Sequence, residues 1–376
     1  MTPMAAVISE RFPPLTDLES VIWPGVILTA FVATAAIVDV MVLLAARWKM
    51  IDLPNRRSAH SLPTARGGGA AIILITTIGT VLAAIKWENQ AWRILVGSLL
   101  PSVLIGIVGL IDDMKPLNAK LRLVLQIAVG VWIAAVLGPF QSVGIPGLSE
   151  LSLGAFGWPL TVLWVVGMIN AFNFIDGVDG MAGTCGLMAG LMVAAYGLVA
   201  WIPPLMVLGG LVAATCGGFL VFNWQPARIF MGDIGSAFLG TFLAAVPLLF
   251  EGDLRDRLVV PVVMGMWPVI FDPLVSVIRR AASGHNPLEP HREFFFHRLV
   301  RGGMSHARVS LLYGVLAAAG VVAGGLMFDV DMPMSVRTSM PLLVLAMAGV
   351  LAWGTESWCS RRELAPPGAV EHSPSE

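Results

Sequence analysis

The sequence predicts an all-α, polytopic integral membrane protein with about 10–11 transmembrane helices. Three observations carry that reading. Of 376 residues, 57% are hydrophobic and only 12% charged, about half the charged share of a soluble chain. Apolar stretches long enough to cross a bilayer, about 17–25 residues, recur along nearly the whole chain. Lys and Arg are unevenly shared between the loops that separate those stretches.

Taken in order, eleven spans are expected at residues 21–46, 67–85, 94–111, 121–139, 156–172, 181–200, 204–222, 235–250, 258–278, 309–328 and 338–354. The first lacks a basic leader and a small-residue cleavage site, so it reads as a retained span. The shorter spans suit tilted or partly buried helices. Residues 1–363 read as one membrane-embedded domain, and 364–376, LAPPGAVEHSPSE, as a disordered cytoplasmic tail. Cys185, Cys216 and Cys359 form no CxxC pair and read as core or lipid-facing thiols. Neither a soluble domain nor an internal repeat is visible.

Basic residues set the orientation. The odd-numbered loops and the C-terminal tail hold 17 of the 23 Lys and Arg residues. The odd loops are therefore expected in the cytoplasm, with the N-terminus outside and the C-terminus inside. The unusual polar residues choose the same side: RRSAHSLPTARGGG (56–69), IDDMKPLNAK (111–120), NFIDGVDG (173–180), FNWQPARIFMGDIGS (222–236) and HNPLEPHREFFFHRLVRGGMSHAR (285–308). Five histidines lie in these loops and His372 lies in the tail. One composite site in a cleft at the cytoplasmic face is the economical expectation.

The residue types point to phosphate chemistry. Asp112, Asp113, Asp176, Asp179 and Asp233 supply five carboxylates, which repel one another unless cations or protons balance them. Hard oxygen donors suit Mg²⁺, with Mn²⁺ as a substitute; no Cys/His spacing suits zinc. Lys120, Arg122, Arg228, Arg292, His297 and Arg298 stand beside the acids. Basic groups next to a cation-binding acidic cluster are the parts of a phosphate or pyrophosphate site. Single clusters also have plainer readings. Asp112–Asp113 could end a helix in solvent, the GGG at 67–69 could serve helix packing, and Arg279–Arg280 read as topology anchors. Asp39, an acid inside the first span, receives no role; Asp272 could help organise the site or merely cap a helix and is left out of the site. Asn170, Asn173, Asp176 and Asp179 recur every third residue; on a helix such steps drift by about 60°. They should fan across a helix end toward a shared polar pocket, although Asn170 could instead join helices.

Over about residues 50–310 the chain resembles the polyprenyl-phosphate N-acetylhexosamine-1-phosphate transferases of glycosyltransferase family 4, which include the phospho-MurNAc-pentapeptide translocases. The resemblance rests on DLPNRRSAH-x-x-PT-x-RGGG, the DD opening the third loop, N-x-x-N-x-x-DG-x-DG-x-A, and FN-x-x-PA-x-x-FMGD-x-GS, in that order. The ninth loop is most similar to members that start O-antigen or related surface polysaccharides. The resemblance implies transfer of an N-acetylamino-sugar-1-phosphate from a UDP-sugar to undecaprenyl phosphate, with Mg²⁺, at the bacterial inner membrane. It implies that Asp233 ligates the metal with Asn173 as companion, and that Asp112 and Asp113 sit at the lipid-phosphate side. Asp176, Asp179 and Asn223 would organise the nucleotide-sugar pocket, which Asn170 borders. Lys120, His297 and Arg298 would face phosphates, and His60 stands where the peptidoglycan enzymes carry lysine. Expected partners are undecaprenyl phosphate, a UDP-N-acetylamino sugar and membrane lipid, with no nucleic acid; a homodimer is also open. The loop HREFFFHR departs from the common DR-x-H-x-HH-R: His291 replaces the acid, and Phe294 and Phe296 replace histidines. The donor sugar is therefore left open among UDP-GlcNAc, UDP-QuiNAc and UDP-FucNAc types. Rival classes are an ion-coupled transporter, whose acids should lie near the midplane between repeats, a non-catalytic lipid-phosphate binder and, within the family, a peptidoglycan-precursor translocase.

Overall fold

The computed structural model describes residues 15–48, 50–52, 63–147, 151–285 and 293–363. His60, His291, Arg292 and the tail 364–376 lie outside the described residues. Helices account for nearly all of the rest. They are α1 (Asp17–Trp48), α2 (Gly69–Lys86), α3 (Glu88–Met114), α4 (Ala119–Leu137), α5 (Gly157–Ile175), α6 (Met181–Val199) and α7 (Pro203–Asn223). The chain continues through α8 (Gly232–Ala245), α9 (Asp253–Gly265), α10 (Trp267–Ala282), α11 (Phe295–Arg301), α12 (His306–Phe328) and α13 (Met334–Glu363). Ten helical segments are long and apolar enough to cross a membrane, and a bent pair makes an eleventh.

That pair differs from the single straight span expected over 258–278. Leu254–Gly265 and Trp267–Ala282 meet at 71° around Met266. Pro268 stands in the first turn of α10; without an N–H it cannot continue the hydrogen-bond ladder of α9. Within α3, Arg93–Leu99 winds as a π-helix, which the sequence did not announce.

α8 is the buried axis of the bundle. Nearly all of its apolar window is enclosed, with α2, α3 and α5 packed around it. Glycine lets these helices touch at backbone distance. A Cβ on Gly109 of α3 would lie 2.3 Å from the carbonyl oxygen of Asp233, and one on Gly69 of α2 would lie 2.3 Å from Gly235 Cα. Close helix packing through small residues is the membrane solution where no hydrophobic drive separates helix from lipid.

Short strands lock the loops at one end. β1 (Ile51–Asp52) pairs antiparallel with β2 (Thr64–Arg66), and β2 pairs parallel with β5 (Ile229–Phe230), with Arg66 opposite Phe230. Gly67 and Gly68 both donate to Phe230 O, at 3.1 and 2.9 Å. The end of the first loop, from Thr64 to Gly68, is thereby fixed against the start of α8. At the opposite end, Ser142–Val143 and Leu151–Ser152 form β3 and β4. There Arg93 and Arg255 satisfy the backbone carbonyls of Leu137 and Leu248. Helix ends leave carbonyls without partners, so these arginines close the far side of the bundle.

Candidate active site

Four loops converge on the N-terminus of α8. Gly232 adopts φ +77, a conformation that only glycine takes cheaply. A Cβ there would also meet Asp113 Oδ2 at 2.5 Å. That opening turn directs three backbone N–H groups at two carboxylates. Asp176 Oδ2 accepts from Gly232 N at 3.1 Å. Asp113 accepts from Asp233 N at 3.1 Å and from Ile234 N at 3.3 Å. A helix N-terminus favours negative charge, so the FMGD motif is held in place by acids from the third and fifth loops.

Two arginines divide the acids between them. Arg66 Nη2 reaches Asp113 Oδ1 at 2.6 Å and Asp233 Oδ1 at 3.4 Å. Arg122 Nη1 reaches Asp112 Oδ2 at 2.6 Å and Asp233 Oδ2 at 3.6 Å. Asp112 also accepts from Leu117 N at 2.6 Å, which fixes the turn between α3 and α4. Asp233 therefore sits between two guanidiniums, each bound more closely to one member of the Asp112–Asp113 pair. Asp112 and Asp233 therefore meet at the same nitrogen, Arg122 Nη1. Burial pushes the Asp176 carboxyl well above the usual carboxylate range; Arg66 opposes this, and the charges of Asp233 and Asp113 add to it. Burial works against the charge of Arg66, but Asp113, Asp233, Asp176 and Asp52 outweigh it and hold the guanidinium firmly protonated.

The four polar residues that recur every third position do not pool in one pocket. Their angular drift sends each to a different neighbour. Asn170 donates to Gln126 Oε1 on α4 at 2.8 Å, a helix-joining contact. Asn173 donates to Ser236 Oγ at 3.4 Å, one turn into α8 from Asp233. Asp176 takes the α8 N-terminus. Asp179 accepts from Ala227 N at 3.1 Å and lies 3.3 Å from His306 Nδ1. Asn223, 2% exposed, bridges Gly180 N and Ile229 O, tying the fifth loop to the seventh.

The ninth loop arrives on α11. His297 packs over Gly177, where a Cβ would come within 3.0 Å of Nε2, and its ring centroid lies 4.2 Å from that of Phe296. Phe294 and Phe296 are buried and stacked at 5.5 Å; Phe294 also meets Phe174 of the fifth loop at 5.3 Å. Arg298 faces away from this contact and forks onto Glu356 of α13, with both bonds at 2.6 Å. A cavity of about 230 Å³ opens beside it, lined by Ser276, Arg279, Ser283, Glu293, Arg298 and Arg301. Lys120 is exposed at the start of α4, its backbone N–H capped by Asn118.

The sequence-based site thus comes together around Asp112, Asp113, Asn173, Asp176 and Asp233, with Asp179 and Asn223 bracing it and His297 at its edge. Arg66 was missing from the expected site, and Arg122 was expected only as one of the cations beside the acids. Arg66 stands directly before the GGG of a quoted motif, and Arg122 two residues beyond Lys120, so both carried a signal that topology counting absorbed. Ser236 closes the quoted FMGD-x-GS motif and His306 lies in the ninth-loop segment, yet neither was given a role, and Asp272 was weighed as a site organiser or a helix cap and left out.

Known proteins are similar to this chain in sequence. Residues 95–251 match the profile of glycosyl transferase family 4. The chain is 32% identical over 289 residues to a probable undecaprenyl-phosphate N-acetylglucosaminyl 1-phosphate transferase of Bacillus subtilis, covering 76% of this chain and 78% of the relative. It is 30% identical over 356 residues to the decaprenyl-phosphate N-acetylglucosaminephosphotransferase of Mycobacterium tuberculosis, covering 86% of each. A phospho-N-acetylmuramoyl-pentapeptide-transferase of Enterococcus hirae is 34% identical over 208 residues, 49% of this chain and 60% of the relative. With its helical membrane fold and carboxylate-rich helix N-terminus, the chain belongs to the polyprenyl-phosphate N-acetylhexosamine-1-phosphate transferases of glycosyl transferase family 4.

Proposed function

We propose that this enzyme transfers an N-acetylamino-sugar-1-phosphate from a UDP-sugar to undecaprenyl phosphate, releasing UMP and starting a lipid-linked O-antigen or other surface polysaccharide. UDP-GlcNAc is the first donor to test, because two of the relatives above carry N-acetylglucosamine in their names; UDP-QuiNAc and UDP-FucNAc follow. The observation that carries the reading is the Asp112–Asp233 pair at the head of α8, flanked by Arg66 and Arg122.

The chemistry balances without a strong base. An oxygen of the lipid phosphate attacks the sugar-bearing phosphorus, the diphosphate P–O bond breaks, and UMP leaves with the bonding electrons. A phosphate monoester with a second pKa near 6 is already mostly ionised at neutral pH. The barrier is electrostatic, since a dianion must approach a diphosphate. Arg66 and Arg122 supply two positive charges beside that approach and hold Asp112, Asp113 and Asp233 in place.

The residues fit Mg²⁺. Carboxylates gathered at one site need protons or cations among them, and Asp112, Asp113 and Asp233 converge there on Arg66 and Arg122. Among the described residues no three His, Cys, Asp or Glu side chains form a metal-holding group. Mg²⁺ needs fewer, because it is usually bound by one or two carboxylates together with water and substrate phosphates. Asp233 and Asp112 would hold it, with Asn173 beside them; Mn²⁺ would substitute. Bound there, the ion would neutralise charge on the donor diphosphate. The site lies at the inner-membrane cytoplasmic face in this reading, with the N-terminus outside and the C-terminus inside.

UMP release from each UDP-sugar, with undecaprenyl phosphate and Mg²⁺, tests the proposal. Turnover with at least one donor is expected, and Asp233→Asn should remove most of it while the protein stays folded in detergent. Absence of UMP release with all three donors would overturn the substrate assignment. Near-normal rates for Asp233→Asn would overturn the metal assignment.

A further inference from the structure

Asp272 lies in α10, in the apolar part of the bent span, with 0% of its surface exposed. An ionisable side chain in that setting is expensive unless its bonds are satisfied and generally marks a function. Its carboxylate accepts four hydrogen bonds, and all four donors are neutral. Oδ1 accepts from Phe295 N at 2.8 Å and from Ser276 Oγ at 3.1 Å. Oδ2 accepts from Phe296 N at 3.1 Å and from the Tyr313 hydroxyl.

The two backbone donors open α11. That helix has seven residues, and its own N-cap position, Phe294, offers no side-chain bond. So short a helix cannot hold itself together in isolation. Asp272 supplies the missing cap from another helix, 23 positions earlier in the chain. Phe295 stacks on Phe271, the residue before Asp272, at 5.9 Å, and Phe296 meets Tyr313 edge-on at 6.3 Å. The start of α11 is therefore fixed in position and in rotation.

Rotation matters because His297 is the next residue. With Phe295 and Phe296 pinned, its ring is set over Gly177, between Asp176 and Asp179. Asp176 in turn caps Gly232, the residue before Asp233. The chain of contacts from Asp272 ends at the acidic cluster.

We infer that Asp272 is a positioning residue for the donor half of the reaction: through α11 it holds His297 and the phenylalanine platform against the Asp176–Asp179 loop, where the nucleotide sugar is handled. Tyr313 and Ser276 complete the device by fixing the carboxylate. This inference rests on the substrate reading above, and wild-type turnover in the same assay tests that reading separately.

The experiment is steady-state kinetics in purified, detergent-solubilised protein, with donor and lipid phosphate varied in turn. Asp272→Asn keeps the shape of the side chain but loses an acceptor and the charge; Tyr313→Phe and Ser276→Ala each remove one donor and leave both backbone bonds. For Asp272→Asn the donor KM should rise roughly tenfold, as for the loss of one charge-assisted hydrogen bond, with the lipid-phosphate KM within twofold of wild type. Tyr313→Phe should move the donor KM in the same direction by less. A carboxylate serving only stability would instead lower the amount of folded enzyme and leave both KM values unchanged. Unchanged KM values, or an equal rise in both, overturn the inference. If Asp272→Asn does not fold, the same two outcomes are read from Tyr313→Phe.

Discussion

Arg66→Gln should damage the acidic cluster more than its place in a loop suggests, and it should do so with opposite signs for two observables. In the native arrangement, Arg66 Nη2 is 2.6 Å from Asp113 and 3.4 Å from Asp233. Without it, Asp112 and Asp233 would keep the Arg122 guanidinium, while Asp113 would lose its ion pair. The short bond to Asp113 is charge-assisted and worth roughly 1.5–3 kcal/mol. The longer approach to Asp233 adds little. Arg66 is about one-third exposed, so solvent screens part of the Coulomb energy. A loss of roughly 1.5–2.5 kcal/mol in transition-state stabilisation follows. At about 1.36 kcal/mol per tenfold, kcat/KM should fall roughly 10- to 70-fold. The gained negative charge should act the other way on a divalent cation, so the Mg²⁺ concentration for half-maximal rate should fall. UMP release measured across a Mg²⁺ titration reads both. Turnover within threefold of wild type at every Mg²⁺ concentration would refute the role given to Arg66. A rise in the Mg²⁺ requirement would show that Arg66 does not compete with the cation for the carboxylates.

The other outcomes separate the acids. Asp113→Ala should lower thermal stability by about 0.5–2 kcal/mol, because Asp113 caps two N–H groups of α8 and an acidic cap lost to alanine costs about that much; a melting temperature equal to that of wild type would contradict this. Asp112→Asn should cut turnover with little effect on melting. Burial raises the Asp176 carboxyl well above the usual carboxylate range, so its contribution to stability is complete below the unfolded value near 4 and is lost as pH rises through the raised native value. Thermal unfolding of wild type should therefore weaken with rising pH more than that of Asp176→Asn, and parallel pH profiles would exclude the linkage.

Much of the fold was legible because lipid imposes one rule: a span must be long and apolar. The expected spans therefore fall on the observed helices. What composition did not carry was backbone interruption. The break at Met266 and the π-turn at Arg93–Leu99 depend on how neighbouring helices receive the freed groups, which is tertiary information. The site was legible where residue type and motif agreed, as at Asp112, Asp113, Asp176 and Asp233. Its cations were less so. A positive-inside count treats Arg66 and Arg122 as anchors, and nothing local says that a guanidinium in the first loop will meet an acid at 233. The β2–β5 register provides that meeting, and three-residue strands leave almost no pattern in a sequence. For Asp272 the sequence left site organiser and helix cap both open, because the backbone donors that decide it lie 23 and 24 residues away.

Arg298 is where motif and geometry pull apart, and Glu356 decides between them. The motif places Arg298 at substrate phosphates; the structure gives its fork to Glu356, which Arg279 also reaches at 2.9 Å. Glu356 is about half exposed, so the pair is worth only about 0.5–1 kcal/mol. A diphosphate carries more charge and matches the planar fork as well as a carboxylate does. Exchange of Glu356 for the donor is therefore energetically open. If it occurs, Glu356 competes with the substrate, and Glu356→Gln should lower the donor KM by about two- to fivefold, the fold-change that corresponds to that pair energy. Arg298→Lys should raise the donor KM, and the lipid-phosphate KM should not move in either variant. The opposite case is a structural tie, in which Arg298 and Trp358 fasten the end of α11 to α13. Glu356→Gln would then lower the melting temperature and leave the donor KM where it was. That second result would assign Arg298 to the scaffold and leave His297 as the ninth loop's contact with the donor.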